Sequence, residues 1–167
     1  MKNAALLLDE ARHYYARIAG GARPVGFRPD FLHVVDPCEL RQLQECLARG
    51  TIPADFELKL ENLAGSGLSH SYIQQNCRLF IALLISAAEG SFKPLSPSQW
   101  DRLLRVLAYV RKDEDAIPDY RKDGYVDDQQ EVRAAAAELS QLLLSFKNWR
   151  LRQQVPRLWS TQWHAAR

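Results

Sequence analysis

From Val132 to Trp149 the apolar residues Val132, Ala135, Leu139, Leu142, Phe146 and Trp149 fall alternately three and four apart. Side chains at those intervals share one face of a helix, and a seven-residue repeat is how helices pack lengthwise on neighbours. The spacing predicts a long C-terminal helix in a bundle, begun near Asp127 and ended by Pro156, whose ring cannot donate to the helical ladder.

The rest of the chain repeats the period of a helix. Leu7, Ala11, Tyr14, Tyr15 and Ile18 line one face of an N-terminal segment that stops at Gly20-Gly21. A second helix is expected after Asp36, which can cap it. Pro37 suits its first position, Leu40, Leu43 and Leu47 lie on its inner side, and Gly50 suits its exit. A shorter one runs from Pro53 to Gly65. The segment from Ser69 to Glu89 becomes apolar on all sides by Leu79, which places it at the centre of the bundle. Ser96 and Pro97 then open a helix with Trp100, Leu103, Leu104, Leu107 and Val110 inward. No stretch alternates with a period of two. The expectation is an all-α, single-domain bundle of about six helices over residues 1–156, followed by a tail over 157–167.

A chain of 167 residues, 47% hydrophobic and 25% charged, is long enough for one core without cross-links. Three cysteines, Cys38, Cys46 and Cys77, form no C-x-x-C pair and have no histidine at ligand spacing. A disulfide framework and a zinc site are therefore not expected. Asp9 and Glu10 interrupt the leucines of the N-terminus before they reach signal-peptide length. The apolar run Leu79–Ala88 has about half the length a bilayer-crossing helix needs. A cytoplasmic protein with no membrane association is expected.

The run from Lys112 to Val132 holds eight carboxylates, a proline and a glycine. Asp119 to Gln130 can be laid over a calcium-binding loop, with Asp123 and Asp127 as further ligands. Arg121 then occupies a ligand position, and Gln130 stands where a bidentate glutamate should close the site. Asp119, Asp127 and Asp128 could instead hold two divalent ions for hydrolysis, with only Arg121 and Lys122 nearby as a charge clamp. A third reading is a corner between helices. Pro118 forces Ile117 out of helical geometry, Asp127 or Asp128 caps the next helix, and the acids stay solvated. This third reading is adopted, with neither metal nor cofactor expected.

"DAIPD", a short spacer and "GYVDD", set between helices, resemble the YkvA-like family of small bacterial helical domains. Ile117, Pro118 and Asp119 match the first half of its motif, and Gly124, Tyr125, Val126, Asp127 and Asp128 the second. The likeness covers roughly residues 103–132. The spacer Tyr120–Asp123 is hydrophilic and one residue shorter than the family's. What the resemblance implies is a helix–corner–helix element and a bacterial source, since the family has no agreed biochemical activity.

Charge is distributed unevenly. Between Asp113 and Glu131 there are eight acids against two bases, whereas from Leu139 to Arg167 there are five bases and no acid. The basic end interleaves Arg150, Arg152 and Arg157 with Trp149, Trp159 and Trp163, a mixture suited to protein interfaces and to single-stranded nucleic acid. The four histidines are scattered, and no nucleophile elbow or phosphate-binding loop is present. The sequence thus points to a non-enzymatic interaction module of a bacterial cell, with a protein partner. Asp119, Asp123, Asp127, Asp128, Arg150, Arg157, Trp159 and Trp163 are its candidate contact residues. Nucleic-acid binding by the basic end and metal-dependent hydrolysis are the competing readings. On this view, charge reversal at Asp127 and Asp128 weakens partner capture and leaves the helices intact.

Overall fold

The computed structural model describes residues 35–112 and 124–160, with side chains through Gln154. Asp36 accepts the amide hydrogen of Cys38 at 2.8 Å and opens α1, Pro37–Ala48, with Pro37 in its first turn. Gly50 leaves that helix at φ 75°, the left-handed geometry for which glycine is the usual residue. α2, Ala54–Leu63, α3, Leu68–Ala88, and α4, Pro97–Arg111, follow, and beyond the corner come α5, Val126–Glu138, and α6, Ser140–Ser160. The described residues contain these six helices and no strand, so the chain is an all-α bundle. The helix expected over residues 3–21 lies outside the described residues.

α3 holds the central place expected of it. Its residues Ile73, Cys77, Phe80, Leu83 and Leu84 are fully buried, and α1, α2, α4 and α5 all pack against it. It is not apolar-enclosed all round, because Leu79, Ala82 and Ile85 stay half-buried. α4 is the more enclosed of the two. Leu103, Leu104 and every residue from Val106 to Val110 are buried, so Val106, Ala108 and Tyr109 join the inner face anticipated from periodicity. Helices on several sides of α4 leave it no polar face in that stretch. Trp100 is only half-buried.

α4 begins with a reciprocal cap: the Ser96 hydroxyl accepts from the Gln99 amide at 3.2 Å, and Gln99 Oε1 accepts from the Ser96 amide at 2.9 Å. Ser96→Ala removes one half of this arrangement and should cost about 1 kcal/mol in a urea melt. A loss below a few tenths would mean that burial of α4 makes its cap redundant.

The apolar stripe from Val132 to Trp149 is present, but it does not lie on one helix. Leu139, at φ −102° and ψ 20°, divides α5 from α6, although its amide still donates to Ala135 and its carbonyl accepts from Leu143. Past this bend α6 reaches the α3–α4 connection. There Phe146 and Phe92 meet edge to face at 5.1 Å, and Trp149 stacks on Phe146 at 5.6 Å. Nor does Pro156 end the helix, which continues to Ser160. A proline deletes a single ladder bond while its neighbours keep theirs, and here that loss does not stop the chain.

Candidate functional site

The acidic corner is fastened where it starts. Arg111, at the end of α4, forks onto Asp55 of α2 through Nε at 2.8 Å and Nη2 at 3.0 Å, and its Nη1 donates to Gln42 of α1 at 2.8 Å. The hydrogen bond from Arg111 holds the Asp55 carboxyl below its usual range. Next in the chain, the Lys112 carbonyl accepts from Lys59 Nζ at 2.5 Å, and Lys112 Nζ lies 3.3 Å from Glu39. Two helices, α1 and α2, therefore fix the point at which the corner leaves α4.

Its far end is fastened more deeply. Gly124 is buried, and the Tyr125 ring meets His70 of α3 edge to face at 4.6 Å with Lys59 Nζ 5.7 Å from its centroid. Asp127 and Asp128 have no solvent exposure at all. Asp127 Oδ2 accepts from the hydroxyl of buried Tyr109 at 2.7 Å. Asp128 acts on Cys77 of α3: burial first, and then the Asp128 charge, push that thiol's pKa up, while Lys59 opposes them.

The expectation of solvated acids is thus overturned for the two residues of the pair. They do not cap α5 either. Tyr125 stands at the cap position and its side chain does not bond the free amides of the first turn, while both aspartates lie in that turn, where negative charge suits the helix dipole. Burial is the physical reason they offer no carboxylate to a partner. Charge reversal there would break the core and not merely an interface. Glu131 lies beyond the first turn of α5 and faces α4, its Oε2 3.9 Å from Arg102, which also binds Glu138 at 2.7 Å. Among the described residues no three His, Cys, Asp or Glu side chains gather closely enough to hold a metal ion. Asp119 and Asp123 lie outside the described residues.

The accessible chemistry is on α6. Residues Arg150 to Gln154 are all exposed. Between α3 and α6 runs a cleft of about 430 Å³ lined by Gln75, Asn76, Arg78, Leu79, Lys147 and Arg150, among others. A second hollow of about 350 Å³, lined by Lys147, Arg150, Leu151 and Gln154, continues it outward. Arg78 is held by a two-toothed pair with Glu57, whose carboxyl that hydrogen bond keeps below its usual range. Arg150 lies over the inward Phe146 ring at 5.8 Å. No helix among the described residues is long and apolar enough to cross a membrane.

Of the residues singled out from sequence, only Arg150 lies at this surface with a described side chain. Arg157 and Trp159 are carried on α6 with side chains outside the description, and Trp163 lies beyond it. Leu144, Lys147 and Leu151 were not singled out. Their signal was present: a second set of positions three and four apart, offset from the core stripe on the same helix. No family model matches the chain, and neither a curated protein nor a solved structure is significantly similar to it.

Proposed function

We propose that this protein is a non-enzymatic interaction module of the bacterial cytoplasm that engages a protein partner through α6. The observation that carries this reading is the placement of Leu144 and Leu151, 55% and 60% exposed, on the side of α6 away from Phe146. Basic residues border them, and no acid follows Glu138 in the chain. The YkvA-like likeness of the corner supports the bacterial assignment. In this reading the corner locks α4 to α5, and Asp127 and Asp128 serve the fold.

Burial of the aspartate pair weighs against the hydrolase reading, which needs carboxylates open to water and substrate. Capture from a lysate of the source cells tests the proposal. A tagged Leu144→Asp/Leu151→Asp variant, with helix content verified by circular dichroism, should lose proteins that the unchanged chain retains. Identical captures would remove α6 as the contact element.

A further inference from the structure

We infer that the outer side of α6 is a seam for a single acidic, leucine-bearing helix of a protein partner. This rests on the interaction-module reading and specifies the partner's chemistry. Leu144 and Leu151 are seven residues apart, so they stand on one line of the helix about 10 Å from each other. Asn148 falls between them in the same register, and Val155 and Leu158 continue the series along the backbone of α6. Steps of four, three, four and three residues make a heptad seam. α6 therefore carries two such stripes: Leu142, Phe146 and Trp149 enter the bundle, while Leu144 and Leu151 do not.

The flanks of the seam define what can lie on it. Lys147 and Arg150 line the hollow that Leu151 borders, and neither has an acidic partner among the described residues. Arg152 is exposed on α6 as well. In a two-helix seam the flanking charges choose the partner, so the complement of these cations is a helix with glutamates beside its leucines. A second copy of α6 would set Lys147, Arg150 and Arg152 against the same cations. Single-stranded nucleic acid would answer the charges but leave the leucines wet. Among the described side chains of α6, the aromatic rings, Phe146 and Trp149, are committed to each other and to Phe92. A bilayer surface calls for a broad apolar face, and this one is narrow and interrupted by Asn148.

The probe is a fluorescent synthetic helix of about four heptads with leucine at a and d and glutamate at e and g. A matched peptide carries lysine for glutamate; in each, like charges oppose self-pairing. Anisotropy titration should give a Kd of roughly 10 μM for the glutamate peptide and at least about tenfold weaker binding of the lysine one. Leu144→Asn/Leu151→Asn should weaken the first by about tenfold, and Lys147→Glu/Arg150→Glu should exchange the two preferences. The inference is overturned if wild type fails to bind the glutamate peptide at about 100 μM, binds both peptides alike, or is indifferent to the asparagine pair. Oligothymidylate and phosphatidylglycerol vesicles are titrated in parallel. Binding of either in place of the peptide overturns the partner class and leaves α6 as the contact face. Unchanged lysate capture by the aspartate variant removes the broader reading as well.

Discussion

Asp127→Ala should destabilise the protein by about 3 kcal/mol, although the change removes a surface-type residue from the most acidic part of the chain. A buried carboxylate accepting from a hydroxyl contributes roughly 1.5–3 kcal/mol through that bond, and a negative charge in a helix's first turn adds up to about 1 kcal/mol. Tyr109→Phe attacks the same bond from the other side and should cost about 2 kcal/mol, because Asp127 keeps its burial and loses a donor. The double variant discriminates. Phenylalanine needs no acceptor, so Tyr109→Phe should be almost harmless once Asp127 is alanine, and the two losses should fall well short of adding. Urea melts supply the four free energies. Alkylation of Cys77, buried in α3 with its thiol pKa pushed up, reports opening of the same region independently. Full additivity, or an Asp127→Ala loss under about 0.5 kcal/mol, would mean that the buried pair is not coupled.

That prediction reverses what the sequence alone suggests, and the reason lies in long-range packing. Helix period, caps and exits are local matters, so Asp36, Pro37, Gly50 and Ser96 could be assigned from a few neighbouring residues, and each has the expected role. The inner face of α1 followed from spacing in the same way, with Leu43 and Leu47 buried and Leu40 packed against the core. Burial of Asp127 and Asp128 has no local signature. It depends on Tyr109, eighteen positions earlier, and on α3 and α4 packing against α5. Eight acids in one run pointed to water, while the turn at Gly124 and Tyr125 carries two of them inward. The same limitation explains α4. Its polar positions looked outward by period, yet Tyr109 is enclosed because its hydroxyl meets Asp127. On α6 the situation is the opposite: both stripes were readable, but periodicity does not say which of two faces a bundle will use. Phe92 decides it, and Phe92 lies in a connection that has no period.

Phe146→Ala should be the most damaging single change on α6, at about 4 kcal/mol. Phe146 has no exposed surface, and its ring touches both Phe92 and Trp149, so truncation forfeits its transfer energy, opens a cavity and removes two aromatic contacts. For a domain of this size the midpoint of thermal unfolding should drop by about 10 °C or more. The neighbouring leucines make the sharper comparison. Leu143 is buried and Leu144 is mostly exposed, though they are adjacent in the chain and chemically identical. Leu143→Ala should cost roughly 2–3 kcal/mol, whereas Leu144→Ala should stay within about 0.5 kcal/mol. Calorimetry on the three variants checks the orientation of α6 directly, and comparable losses at 143 and 144 would show that its outer stripe is covered by the chain itself. A negligible loss at Leu144 has a further consequence. On the proposed seam, such a side chain in heptad register with Leu151 contributes to association alone. The peptide affinity of Leu144→Ala should then fall while its unfolding midpoint does not move.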